Sequence, residues 1–227
     1  RSAYKIETVD GHLYCLKRMK HGKSKAKNGY LLVNSLEEGG FNNTAKYIKT
    51  ISGDYFVNYN RYILYLTEWI DGVECNLNNL AEAVNCAKLL ANFHLATNKI
   101  NTSKFKIRNN LKNWPKVFYD NLSSMERFKA FIERKRIRNE FDVVYFKYLD
   151  TFYNRGLIAL NILSSSNYYN LSRSAEKKKT ICHDSFYYQN IIKKDDQYYI
   201  IDLDSILIDL QVLDLGKFIR RLMFKNA

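Results

Sequence analysis

The strongest constraint on the fold comes from residues 180–204, where polar side chains interrupt an apolar, strand-forming sequence. Asp184 follows His183 at the end of an apolar lead-in. Asn190 then opens a short β run, and Asp202 ends a second run after a turn. An acid, an amide and a second acid on loops that flank a small hairpin suit a metal–phosphate site, where carboxylate and amide oxygens hold Mg²⁺ and a further carboxylate accepts a proton. An ordinary turn followed by an edge hairpin accounts for this stretch equally well.

The first 72 residues are predicted to form a small antiparallel sheet with one helix. Asp10-Gly11 is a strong hairpin turn, and Gly39-Gly40 stops the helical pattern. Lys17 lies on the second strand, within Cys-Leu-Lys. The predicted elements are strands at 3–9 and 12–19, a helix at 24–38, and strands at 47–50, 55–57 and 61–70.

After Gly72 the pattern changes to helices, predicted at 79–97, 114–136, 140–164 and 212–224. The polar stretches 98–113 and 165–179 are interpreted as a loop or insertion and as a connector. His94 faces the apolar side of its helix, where a satisfied core histidine is the default expectation. The fold class is therefore α+β, with a sheet-rich lobe at 1–72 and a mainly helical lobe at 73–227.

The chain is basic, with 36 Lys and Arg against 23 Asp and Glu and a net charge of +13. The charge is concentrated at 127–138 and 177–179. A helix with cations on one face and four apolar residues on the other accounts for the first cluster, the four being Phe128, Phe131, Ile132 and Ile137. A solvated helical face is favoured over a nucleic-acid patch, so nucleic acid is not expected as a partner.

Two further classes of protein are disfavoured by composition. No apolar run is long enough to span a bilayer. The four cysteines form no C-x-x-C pair, which indicates scattered reduced thiols rather than a zinc site.

The order of these features resembles the aminoglycoside phosphotransferase and choline kinase branch of the protein-kinase-like fold. More narrowly, the chain resembles bacterial spore-coat proteins of the CotS type. The residues that carry the resemblance are Tyr65-Leu-Thr-Glu-Trp-Ile-Asp-Gly72, Ser166-Asn-Tyr-Tyr-Asn-Leu171, Cys182-His183, Gln189-Asn190 and Asp214-Leu-Gly-Lys-Phe-Ile-Arg-Arg221. Together they span nearly the whole chain.

The resemblance implies a role for each matching residue, with ATP and Mg²⁺ as cofactors. Lys17 would hold nucleotide phosphates, and Asp214 would brace the catalytic-type loops at 182–204. The hinge, offering backbone groups to an adenine, would be Glu68, Trp69 and Ile70. The metal ligands would be Asn190 and Asp202. The resemblance also implies synthesis in the cytoplasm, a place in the spore coat, other coat proteins as partners and a small molecule with a hydroxyl as acceptor.

Three departures from the family pattern bear on catalysis. The related enzymes carry H-x-D-x-x-x-x-N, so five positions separate the base from the asparagine. Here Asp184 precedes Asn190 by six positions, and counting back five gives Ser185. Either the loop bulges and Asp184 serves as the base, or the base is absent, which the count favours. No mid-helix glutamate is available for Lys17, and the residues shown contain no Gly-rich phosphate loop.

Two functions follow. The first is a spore-coat protein with a kinase-like fold that is catalytically weak or inactive and acts by binding. The second is an active ATP/Mg²⁺-dependent phosphotransferase that acts on a small-molecule hydroxyl through Asp184.

Overall fold

The structure is a computed structural model that describes residues 2–20 and 22–225. It divides into two compact units, one built from the segment up to Asn109 and the segment from Lys178 onward, the other from Asn110–Lys177. The proposed lobe boundary at Gly72 falls inside the first unit and stays a prediction.

The helices are α1 Lys23–Glu38, α2 Leu80–Thr97, α3 Trp114–Glu133, α4 Glu140–Ser165, α5 Tyr168–Lys178 and α6 Val212–Lys225. The strands are β1 Ser2–Glu7, β2 Leu13–Met19, β3 Tyr47–Ile48, β4 Val57–Tyr59, β5 Tyr62–Glu68, β6 Val73–Glu74, β7 Arg108–Asn109, β8 Ile181–Cys182, β9 Ile191–Lys194, β10 Gln197–Ile200 and β11 Leu207–Ile208. No helix in the described part of the chain is both long and apolar enough to cross a membrane.

The first sheet confirms the antiparallel arrangement predicted for the N-terminal residues. Its strand order is β1-β2-β5-β3, with β4 paired to β5, and every pairing is antiparallel. Gly11 supplies the positive φ of 82° in the loop between β1 and β2, a conformation that favours glycine. The register of β2 on β5 sets Lys17 opposite Tyr65.

Helix α1 packs through Ala26, Leu32 and Leu36, which are fully buried, and ends at Glu38 with Gly39 as its C-cap, as predicted. A closer contact occurs at Gly29. A Cβ there would lie 2.2 Å from the hydroxyl of Tyr47 and 3.4 Å from the Cα of Asp204. The absence of a side chain therefore lets the middle of α1 approach the chain segment that follows Asp202.

Two small sheets carry the segment that the sequence singled out. The β9–β10 hairpin forms as predicted and adds β6 at its edge, while β11 joins β8 and β7. Gly72 permits the approach of β6, because a Cβ on it would lie 2.3 Å from the carbonyl oxygen of Lys193. The hairpin ends place Asn190 before β9 and Asp202 after β10.

Two expectations about the second unit were wrong. The supposed connector 165–179 contains helix α5, because Tyr168, Ser172 and Ala175 recur at helical spacing and are buried despite the polar composition. The basic segment 127–138 is not one helix, because helix α3 ends at Glu133. Of the apolar residues expected on the face opposite the cations, Ile132 is buried as a helical face requires, whereas the other three are exposed: Phe128, Phe131 and Ile137.

Candidate active site

All of the predicted site residues lie in the first unit. The loop that carries Asp184 is anchored by His183, which is fully buried between Phe93 and Phe186. The ring centroids of these two residues lie 6.1 and 6.0 Å from that of His183. The amide of Ser185 donates to Nδ1 of His183 at 3.2 Å, so Nε2 carries the proton and donates to the carbonyl of Ile201 at 3.1 Å. Burial lowers the pKa of His183 and so keeps the ring neutral. The hydrogen bond to Ile201 ties the loop to the residue before Asp202.

Asp214, at the first turn of α6, holds the same loop from the other side. Its buried carboxylate accepts the backbone N–H groups of His183 at 2.7 Å and Asp184 at 2.8 Å, and Nε2–H of His94 at 3.0 Å. Burial opposes ionisation, but these hydrogen bonds outweigh it and the pKa of Asp214 is lowered. The bracing role implied by the resemblance is thus seen directly, and His94 is satisfied as expected.

The carboxylate of Asp184 is occupied by an ion pair with Lys217, whose ammonium also donates to the Asp184 carbonyl at 3.1 Å. Asp184 adopts a left-handed backbone with φ of 68°. Lys217 follows Asp214 by three positions, so both project from α6 toward this loop. Sequence reasoning missed Lys217, although that spacing on a predicted helix was a usable signal.

Asn190 is buried, and its side-chain amide donates to the carbonyl of Ser185 at 2.9 Å. The backbone carbonyl of Asn190 accepts a hydrogen bond from the N–H of Ile201 at 3.0 Å. The structure therefore brings Asn190 next to the residue that precedes Asp202, and the assignment of both as metal ligands stays a prediction. Its side-chain oxygen and the Asp202 carboxylate are hard oxygen donors of the kind that Mg²⁺ prefers, so this donor set fits that ion.

Lys17 is buried on β2 and forms an ion pair with Asp202, which has a left-handed backbone with φ of 73°. The ammonium of Lys17 also lies 5.7 Å from the ring centroid of Tyr65. Glu37, at the end of α1, instead pairs with Lys46, so the glutamates of that helix do not replace the missing partner. The structure thus joins two predicted residues, the lysine and the second acid, in one pair.

A buried polar pair that sequence reasoning missed lies beside this lysine. The hydroxyl of Tyr65 donates to Asp204, whose carboxylate is 2% exposed, and Tyr47 stacks on Tyr65 at 5.1 Å. The alternation Asp-Leu-Asp at 202–204 was the available signal, but strand periodicity alone does not reveal which acid is buried.

A cavity of about 80 Å³ adjoins Lys17 and Asp202. The predicted hinge, Glu68, Trp69 and Ile70, lines it. The backbone N–H groups of Glu68 and Trp69 are bonded to the carbonyls of Lys46 and Leu13, at 2.8 and 3.2 Å. The remaining lining side chains are largely apolar and include Val33, Ala45, Ile192, Ile200 and Leu203. A largely apolar cavity with a lysine and a carboxylate in its lining suits an aromatic ring attached to an anionic group.

Comparison with known proteins gives the same architecture. The family model described as "Spore coat putative kinase YutH" matches residues 1–227. An aminoglycoside phosphotransferase from Alicyclobacillus acidocaldarius is similar with a TM-score of 0.82 and 19% identity, covering 99% of this chain and 68% of that one. A spectinomycin phosphotransferase in complex with ADP and spectinomycin has a TM-score of 0.59 and 16% identity, covering 94% and 62%.

A choline kinase from Cryptosporidium parvum has a TM-score of 0.54 and 15% identity, covering 97% of this chain and 59% of that one. The chain thus spans between 59 and 68% of the length of these three proteins. At these identities the structural likeness shows the fold, and it confirms the expected kinase-like α+β class. The match over the whole chain shows that this protein belongs to the spore-coat family described as "Spore coat putative kinase YutH".

Proposed function

We propose that this protein binds a nucleotide in the cavity beside Lys17 and acts in the spore coat chiefly by binding, with weak or no phosphotransfer. Membership of a spore-coat family supports the location and coat proteins as partners. The cavity lined by Glu68, Trp69 and Ile70 supports the nucleotide, whose phosphates would meet the ammonium of Lys17.

The observation that carries the loss of catalysis is the pair of contacts made by the 183–190 loop. Counting back five positions from Asn190 gives Ser185. The side-chain amide of Asn190 also donates to the carbonyl of Ser185, and this supports a serine at the position of the base. The nearby carboxylate, Asp184, is held by Lys217 in an ion pair instead of being left open to an acceptor hydroxyl. A positioned base contributes typically about 10²–10⁴-fold to rate, and a serine hydroxyl offers no comparable basicity near neutral pH.

The metal side of the site supports retained ligand binding. Asn190 and Asp202 would hold Mg²⁺, which supplies neutralisation of phosphate charge when bound. In the structure described here Lys17 holds Asp202 by an ion pair. A bound phosphate would meet the same ammonium, because the ion pair holds both charged groups in the lining of the cavity.

An active phosphotransferase is the second candidate, and one observation favours it. The side chain of Asp184 is 23% exposed, and Asp214 fixes the backbone of its loop through two N–H groups. Lys217 would then orient the carboxylate rather than disable it. In that case a small-molecule hydroxyl would be the acceptor.

The two candidates separate in an assay of ATP binding and ATP turnover. Mg-ATP should raise the melting temperature, because a ligand at 100 times its dissociation constant stabilises the folded state by about 2.7 kcal/mol. Turnover should stay at the background rate with water, choline or spectinomycin as the acceptor, and Asp184→Asn should not change it. Lys17→Met should abolish the thermal shift.

Ser185→Ala serves as the matched control, because it alters the same loop without removing a charge. Measured turnover that falls by about 10²–10⁴-fold in Asp184→Asn but not in Ser185→Ala would make Asp184 the base and replace the proposal by the second candidate. If Mg-ATP does not raise the melting temperature of the wild type, nucleotide binding is excluded from both candidate functions.

A further inference from the structure

The end of the α3–α4 hairpin carries an unusual surface. Large apolar side chains stand in solvent there, with exposed fractions of 84% for Ile137, 70% for Phe141 and 62% for Phe131. Ile137 lies within residues 134–139, which connect the two helices, and Phe131 and Phe141 flank that connection. Single exposed apolar residues are ordinary, but three of them around one turn indicate an interaction surface.

Cations surround this cluster. Residues 127–140 contain six Lys and Arg against two Glu. Lys135 is committed to the fold, because its ammonium binds both carboxylate oxygens of the buried Asp142 at 2.7 and 2.9 Å. Among the residues that the structure describes, no carboxylate lies within 4.0 Å of the guanidinium groups of Arg134, Arg136 or Arg138. All three residues are exposed, and the guanidinium of Arg138 also lies 5.0 Å from the ring centroid of Phe146, so three positive charges remain at the surface beside the apolar cluster.

The hairpin beneath the turn is well supported. Gly156 on α4 sits against Leu122 on α3, where a Cβ would lie 2.6 Å from the leucine side chain, so the helices pack closely. At the turn, Asn139 and Asp142 form a reciprocal capping box that fixes the start of α4. The exposed residues are therefore presented on a rigid support rather than on a loose loop.

We propose that residues 127–141, here termed the hairpin tip, dock on an anionic membrane surface. The arginines would bind lipid phosphates, while Phe131, Ile137 and Phe141 would enter the boundary between head groups and acyl chains. That boundary places anions and hydrocarbon within a few ångströms of each other, matching the alternation on the tip. A nucleic acid offers phosphates but no apolar layer for Ile137, and a protein partner would require a groove shaped to the tip. This inference does not depend on the nucleotide site.

The test is sedimentation of the full chain with vesicles of phosphatidylcholine alone or with 30% phosphatidylglycerol, at about 0.1 M salt. The wild type should bind the anionic vesicles only. Replacing Arg134, Arg136 and Arg138 by Gln should weaken partition on the order of 100-fold, since each cation near such a surface contributes about fivefold. Ile137→Ser should weaken it while leaving the charge unchanged.

The control replaces Lys177, Lys178 and Lys179 by Gln, which removes the same charge elsewhere on the chain and should leave partition nearly unchanged. Circular dichroism checks that each variant is folded. Three results would overturn the proposal: no binding of the wild type to anionic vesicles, an equal loss in the lysine variant, or a dimer in sedimentation velocity that Ile137→Ser dissociates without vesicle binding. Equal binding to duplex DNA, lost in the arginine variant, would assign the tip to nucleic acid instead.

Discussion

Asp214→Ala should destabilise the protein by about 3–5 kcal/mol. The wild-type carboxylate is fully buried and accepts three hydrogen bonds, two of them from the backbone N–H groups of His183 and Asp184. Truncation leaves these donors without an acceptor, and each unsatisfied buried donor costs about 1–3 kcal/mol. The cavity left by the removed carboxylate adds to this cost.

The assay is urea denaturation at pH 7, with the free energy of unfolding obtained by linear extrapolation. Asp71→Ala is the control, because that side chain is 71% exposed and its ion pair with Lys5 is 4.0 Å long. Such a surface change should stay within about 0.5 kcal/mol. If Asp214→Ala cost less than about 1 kcal/mol, the reasoning that this carboxylate braces the loop would be refuted.

The pH dependence supplies an independent check. Because the folded-state pKa of Asp214 is lowered, its contribution is fully present above the unfolded value of about 3.9 and is lost as pH falls through the folded value. The stability difference between wild type and Asp214→Asn should therefore shrink below about pH 4. A difference that grew in acid would contradict the sign of this shift.

Further predictions concern packing, capping and thiol access. Gly72→Ala should destabilise the protein by about 1–3 kcal/mol, because the new Cβ would lie 2.3 Å from a backbone carbonyl oxygen. Gly216→Ala should stabilise helix α6 by about 0.5–1 kcal/mol, because no atom lies within 4 Å of its Cβ position. Equal effects of the two variants in thermal melts would contradict this description of the packing. Asn139→Ala should cost about 0.5–2 kcal/mol by removing the capping box, and an unchanged urea midpoint would argue against it. Burial raises the pKa of the Cys182 thiol, so at pH 8 a thiol reagent should modify at most the half-buried Cys15 before unfolding, and rapid labelling of two or more thiols would contradict this.

Local pattern was sufficient for much of the fold and for several site residues. The turn at Asp10-Gly11 and the strand periodicity after it located Lys17, and alternating apolar runs located the hairpin between Asn190 and Asp202. The helices were found because their apolar residues recur at helical spacing. Helix α5 was not predicted, because this segment is polar and only three of its side chains, Tyr168 among them, are buried.

The partners of the charged residues required the tertiary structure. Asp184 pairs with Lys217 thirty-three positions away, and Lys17 pairs with Asp202 at a separation of 185. An ion pair at such separations depends on which elements pack together, and no local pattern encodes that. The exposure of Ile137 could not be predicted for a related reason. The sequence around an apolar residue near a helix end is the same whether or not other parts of the chain cover that residue.

The sequence by itself determined the order of most elements and several residues that line the cavity, because periodicity and turn residues are local properties, and its resemblance to a known family implied the kinase-like class. Only the tertiary structure decided what those residues do to one another. It committed the carboxylate of Asp184 to Lys217, linked Ser185 to Asn190, and left the hairpin tip uncovered. The physical reason is that ionisation, hydrogen bonding and burial depend on neighbours within a few ångströms, and folding brings those neighbours from distant parts of the chain.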